Sequence, residues 1–150
     1  MDAAQLLAKS LGRPASTHPV DVGLRTEAII TAELVRRGIS VLQPCGFNHR
    51  YDLVLDLDGE YLRAQCKTGR LRKGVVRFKT ESVTCNTRSA RRRGYVDEID
   101  LFLVYCPGTS EIYAVPLADA ATAEAALRVA ATSNGQEVGV RWAADYVLPA

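Results

Sequence analysis

Tyr51-Asp52-Leu53-Val54-Leu55-Asp56-Leu57-Asp58-Gly59-Glu60-Tyr61-Leu62-Arg63-Ala64-Gln65-Cys66-Lys67 reads as two β-strands joined by a two-residue turn. Asp58-Gly59 is a pair that tolerates the positive φ angles of a tight hairpin, and alternating apolar and polar residues flank it. Pairing Leu57 with Glu60 sets the register, and stepping outward brings Asp52 opposite Gln65. Alternation then places Asp52, Val54, Asp56, Tyr61, Arg63, Gln65 and Lys67 on one face. Tyr51, Leu53, Leu55, Leu57, Leu62, Ala64 and Cys66 fall on the other, which is a core face. A slip of one residue would mix the two sets, so the register is well specified.

Working outward, residues 23–37 read as a helix, with Leu24, Ala28, Val35 and Ile30, Leu34 at helical spacing and Gly38 as its stop. Residues 2–11 read as a shorter helix ended by Gly12 and Pro14, followed by a linker over Ala15–Val20. Ile39–Leu42, Val75–Lys79 and Ile112–Leu117 are short strand candidates. Ile99–Cys106 is an apolar run typical of a buried strand, ended by Pro107-Gly108. Residues 82–94 are polar and basic, compatible with a helix, and their conformation stays open. The alanines of residues 118–131 suggest a helix, Asn134-Gly135 a turn, and Trp142–Leu148 a closing segment. The order implies a mixed α/β fold with a single central sheet flanked by helices, residues 1–20 being a helix and linker outside the domain of residues 21–150.

The polar face of the hairpin has the parts for chemistry. Opposed Cβ atoms on paired strands stand about 4.5–5.5 Å apart. Two oxygen-bearing side chains at that spacing suit a hard cation such as Mg²⁺. Lys67 projects from the same face, where its ammonium can stand near a phosphate oxygen. Phosphodiester hydrolysis needs a Lewis acid, an attacking water and a positive group near the developing charge. A solvated, mixed-charge surface is the plainer reading of the same face.

Charge is distributed unevenly. Residues 63–93 hold eleven Lys or Arg against the single acid Glu81, while the rest of the chain holds eight basic and sixteen acidic residues. One segment is thus about +10 and the remainder about −8, which points to a polyanion met by one face. Arg70, Arg72, Lys73, Arg88, Arg91, Arg92 and Arg93 are the candidate DNA-contacting residues, with Asn86, Thr87 and Ser89 as further phosphate donors. His18 and His49 read as loop residues, and Tyr95, Tyr105, Tyr113 and Trp142 as packing residues. The four cysteines are widely spaced with no Cys-x-x-Cys pair, so they read as thiols rather than zinc ligands. No apolar run is long enough to cross a bilayer, and the expected compartment is the cytoplasm.

Tyr51-Asp52, the hairpin and Gln65-Cys66-Lys67 together resemble the signature of the PD-(D/E)XK nuclease superfamily, with Glu27 in Gly23-Leu24-Arg25-Thr26-Glu27 matching its helix acid. Val104-Tyr105-Cys106-Pro107, Ile112-Tyr113-Ala114-Val115-Pro116, Asn134-Gly135-Gln136 and Arg141-Trp142-Ala143 resemble the branch associated with group I introns. The resemblance, over roughly residues 22–148, implies a restriction-endonuclease-like core and a metal-dependent endonuclease acting on double-stranded DNA. It implies Mg²⁺ or Mn²⁺ held by Asp52, Gln65 and Glu27, with the Cys66 carbonyl as a further ligand and Lys67 beside the attacking water. Asp56, nearer the turn, is a decoy on the same face. Gln65 departs from the general motif, which has an acid there, although the intron-associated branch is known for a glutamine. Double-strand cleavage by so small a chain implies a dimer or tetramer. A junction resolvase, a restriction or repair nuclease, and a silent DNA-binding module stay open as alternatives.

Overall fold

The computed structural model describes residues 1–150. Two helices come first, α1 (Ala3–Leu11) and α2 (Pro19–Arg36), followed by the strands β1 (Ser40–Leu42), β2 (Leu53–Leu57), β3 (Glu60–Thr68), β4 (Arg70–Arg72) and β5 (Val75–Lys79). The remaining strands are β6 (Ser82–Cys85), β7 (Ala90–Arg93), β8 (Leu101–Cys106), β9 (Glu111–Pro116) and β10 (Glu124–Arg128). Five of them form a mixed central sheet in the order β1-β2-β3-β8-β9. The predicted hairpin is its centre: Leu57 pairs with Glu60 and Leu53 with Ala64, the register that the Asp58-Gly59 turn requires. Asp58 and Gly59 take φ of 56° and 96°, as the turn demands. Asp56 is spent on that turn, since Gly59 N–H donates to its Oδ1 at 2.9 Å. β3 runs parallel to β8, and every other pairing in this sheet is antiparallel.

One sheet face is closed by α2. His18 caps the helix, its Nδ1 accepting from Val20 N–H at 3.3 Å, and Pro19 begins the first turn, where its missing N–H costs nothing. Ile30 and Leu34, one turn apart, pack on Leu53, Leu55, Ala64, Leu103 and Ile112. Each such side chain stabilises the fold by about 1.5–3 kcal/mol through burial. The linker is therefore shorter than the sequence suggested, because Pro19 and Val20 belong to α2. The helix also uses only part of its apolar surface: Leu24 and Val35 remain 62% and 57% exposed, and the sheet takes the Thr26-Ile30-Leu34 stripe instead.

A second layer covers the opposite sheet face. β10, β5 and β4 form a three-stranded sheet whose Val76, Phe78, Ala125 and Leu127 pack on Phe102, Val104, Tyr113 and Val115. Two expectations change here. Residues 118–131 hold a short 3₁₀ turn and β10 rather than a helix, because Ala125 and Leu127 alternate into the core and pair with β5. Residues 82–94, whose conformation the sequence left open, form the antiparallel hairpin β6–β7. Tyr51 also leaves its expected face: β2 starts only at Leu53, and Tyr51 packs with the second core. Gly69 joins β3 to β4 where a Cβ would lie 2.8 Å from Val76 Cγ1, so the two sheets approach there only because this residue has no side chain.

Candidate active site

Asp52 stands immediately before β2. Its N–H donates to Ala64 O at 2.9 Å, and its Oδ2 accepts from Cys66 N–H at 2.8 Å. Burial pushes its carboxyl above the ordinary aspartate range, against the opposing pull of the Cys66 amide and the Lys67 charge. Glu27 lies on α2 one residue beyond buried Thr26, whose hydroxyl shares a 2.6 Å hydrogen bond with Thr68 of β3. That contact ties the helix to the strand carrying Gln65 and Lys67. Burial, then the charge of Asp52, pushes Glu27 upward as well. Both carboxylates line one cleft of about 280 Å³, roofed by the loop from Gln43 to His49. Neither takes part in any ion pair.

Lys67 Nζ donates to Tyr95 Oη at 3.1 Å and lies 4.9 Å from the centre of that ring. Tyr95 is only 4% exposed, and Arg50 stacks on its ring at 4.3 Å. Gln65 is half-buried in β3 opposite Phe102 of β8, and the side-chain hydrogen bonds around it run between other residues. The Cys66 thiol is driven upward by burial and by the charges of Asp52 and Glu27, so it is a protonated, inert neighbour. No three His, Cys, Asp or Glu side chains converge on one point. What the fold does bring together is a pair of partly buried carboxylates in one cleft, Glu27 and Asp52, neither held in an ion pair. That set of hard oxygen donors fits a divalent cation such as Mg²⁺ or Mn²⁺.

The predicted basic residues divide between two surfaces. Arg70 and Arg72 line a groove of about 590 Å³ that also contains Lys67, Thr68, Arg77 and Lys79. Arg91 and Arg93 line a wholly polar basin of about 770 Å³ with Arg50, Asn86 and Ser89. Arg88 lies in the β6–β7 turn, and Lys73 and Arg92 are exposed beside these surfaces. Arg93 and Arg50 both pair with Glu98, so they hold the basin wall together, whereas Arg70, Arg72 and Arg91 have no acidic partner in the fold.

Comparison with known proteins bears directly on this arrangement. The family model described as PD-(D/E)XK endonuclease matches residues 17–149. The chain belongs to the PD-(D/E)XK endonuclease family. It is an endonuclease, and its fold is shared with a solved bacterial homing endonuclease, I-Ssp6803I, at 21% identity and a TM-score of 0.65 over 83% of this chain and 85% of that one. Comparison with curated proteins gives no match. Within this PD-(D/E)XK chain, the sequence did not show that Tyr95 contacts Lys67 or that Arg50 stacks on Tyr95. Tyr95 packs in the core against Phe102, as the sequence implies, and what the sequence lacks is any sign of its long-range hydrogen bond with Lys67. Arg77 and Lys79 carried a signal, since they alternate with Val76 and Phe78 along β5 inside the basic segment.

Proposed function

We propose that this PD-(D/E)XK endonuclease is a Mg²⁺- or Mn²⁺-dependent enzyme that cuts double-stranded DNA in the manner of intron-associated homing endonucleases. The observation that carries the reading is the placement of Asp52 and Glu27 in one cleft, unpaired and raised by burial, with the Lys67 charge acting on Asp52. Asp52, the Gln65 carbonyl oxygen, the Cys66 carbonyl and Glu27 would hold the divalent ion, directly or through water. Bound there, the ion supplies Lewis acidity toward the scissile phosphate. The Lys67 ammonium would orient the attacking water and stabilise the negative charge that develops on the phosphate oxygens. Tyr95 fixes that ammonium in place through its hydroxyl and ring. The neutral Gln65 lowers the negative charge of the ligand set, so ion affinity is weaker than with an acid at this position.

The two arginine-rich surfaces support a DNA partner. Arg70, Arg72, Lys73, Arg88, Arg91, Arg92 and Arg93 bind backbone phosphate, and guanidinium groups also suit guanine edges. Cutting both strands requires two such centres, so a dimer or tetramer is part of the reading. The exposed stripe of Leu24 and Val35, with the exposed Leu7 and Leu11 of α1, is the apolar surface a second copy of this chain would cover. No helix is long and apolar enough to cross a membrane. All four cysteines are unpaired, which favours the cytoplasm.

The deciding experiment offers the protein a supercoiled plasmid library and a synthetic four-way junction, each with Mg²⁺ and with EDTA. Cutting at a few linear sites with Mg²⁺ alone is the expected result. Symmetric nicking confined to the junction would replace the homing-type reading with a resolvase, and binding without cutting in any divalent ion would make Gln65 the mark of a silent site.

A further inference from the structure

Phe47 is 95% exposed and stands at the rim of the cleft that contains Glu27 and Asp52. One exposed apolar side chain ordinarily needs no explanation, but this one is held out by a built turn. Gly46 and Asn48, on either side of it, take φ of 88° and 63°. His49 Nε2 lies 2.6 Å from Cys45 O and closes the loop beneath. The His49 ring in turn sits 6.0 Å from that of Tyr51, the residue before Asp52. The turn that lifts Phe47 into solvent is thus fastened to the strand end that carries the central carboxylate.

The same turn separates two cavities. On one side is the carboxylate cleft, and on the other the basin lined by Arg50, Asn86, Ser89, Arg91 and Arg93. Asn48 and His49 line both. A strand running from the arginines of the basin to Glu27 and Asp52 crosses this loop, whose Asn48 and His49 border both cavities and whose Phe47 lines the carboxylate cleft. The chemistry at that crossing is unlike its surroundings: a flat apolar ring amid donors suited to phosphate. Bases offer an apolar face to such a ring whatever their sequence, and apolar side chains inserted at a base step unstack it and bend the duplex.

We propose that Phe47 is a wedge that stacks on a base of duplex DNA at the step next to the scissile phosphate, opening that step as the strand passes from the arginine basin into the carboxylate cleft. The inference rests on the DNA substrate proposed above and adds to it a specific residue and a local distortion.

Phe47→Trp and Phe47→Ala test it, since an exposed loop position tolerates both. A mixed-sequence DNA duplex is titrated into each protein in Ca²⁺ at low salt, with indole emission and affinity as readouts. The unsubstituted chain has one tryptophan, Trp142, as internal reference. The expected result is quenching in Phe47→Trp well beyond that of Trp142 alone, and affinity about tenfold weaker in Phe47→Ala. An indole insensitive to the duplex, together with unchanged affinity and cleavage in Phe47→Ala, would overturn the wedge and leave the nuclease reading intact. Altered sedimentation of Phe47→Ala with normal DNA binding would also overturn it, assigning the ring to a contact between copies. Failure of the unsubstituted protein to bind any duplex would overturn the wedge and the DNA substrate together.

Discussion

At the scale of single residues, Asp52 and Glu27 sacrifice stability for a charged cleft. Both carboxyls are raised in the folded protein from ordinary values of 3.8 and 4.5. The folded state therefore holds their protons more tightly than the unfolded state, and stability falls as pH rises from the ordinary carboxylate range through the raised values. Asp52→Asn removes one of these charges and keeps an oxygen able to accept from Cys66 N–H. It should raise the Tm of the metal-free protein at neutral pH, with the gain vanishing once both carboxyls are protonated in the parent, and it should abolish cleavage. Calorimetry across pH checks the first half, and an unchanged or lower Tm at neutral pH would contradict it. Lys67→Ala should slow cleavage by about 10²–10³-fold, with duplex affinity in Ca²⁺ largely preserved. Gln65→Glu makes the reciprocal prediction. It adds a negative charge to the ligand set, so half-maximal binding of Mg²⁺ or Mn²⁺ should move to lower ion concentration, measured by titration calorimetry.

At the scale of elements, the close approach of β4 and β5 to the central sheet positions the groove beside Lys67. It depends on Gly69, where an added Cβ would meet Val76 Cγ1 at 2.8 Å, Val104 Cγ1 at 3.1 Å and Cys106 Cβ at 3.2 Å. All three are core atoms with little room to yield, so Gly69→Ala should cost about 1–3 kcal/mol in denaturant unfolding. A neutral result would mean the two sheets slide apart more easily than their packing suggests. The β6–β7 hairpin shows a different economy. Its strand residues are mostly exposed, and it is fastened to the body through Arg50, which donates to Ser82 Oγ at 2.7 Å and to Gly94 O at 2.6 Å and pairs with Glu98. An element so little buried contributes little to the core and much to the surface presented to a ligand.

For the whole molecule, the segregation of charge sets the expected binding thermodynamics. Affinity for duplex DNA should fall linearly in log–log coordinates with salt, by about 0.9 per phosphate neutralised. Arg70→Ala and Arg91→Ala should each weaken binding across unrelated sequences and flatten that slope by about one unit. A salt-independent affinity would argue against a DNA partner. The exposed apolar stripe on α2 has its own expected outcome: Leu24→Glu combined with Val35→Glu should convert a sedimenting dimer or tetramer to monomer without loss of fold. A monomeric parent would remove the oligomer from the functional reading.

The hairpin was legible in the linear chain because it is local. The two-residue Asp58-Gly59 turn and strict alternation leave one register, and Asp52, Gln65 and Lys67 follow from it. Glu27 and the basic segment were legible too, one through motif order and the other through charge alone. The distant partners were not. Alanines in residues 118–131 favour a helix in isolation, yet β10 forms there because Ala125 and Leu127 gain burial and hydrogen bonds against β5, and tertiary pairing outweighs weak propensity. In α2 the pattern offered two apolar stripes, and only the docked sheet selected Ile30 and Leu34 over Leu24 and Val35. Tyr95 meets Lys67 through a contact that spans 28 residues and leaves no periodic trace, and the cleft that Phe47 lines exists only once α2 brings Glu27 to Asp52. Local geometry thus specified the hairpin and the ligand candidates, while long-range packing decided which charges remain unpaired, which arginines face one another and where the cleft opens.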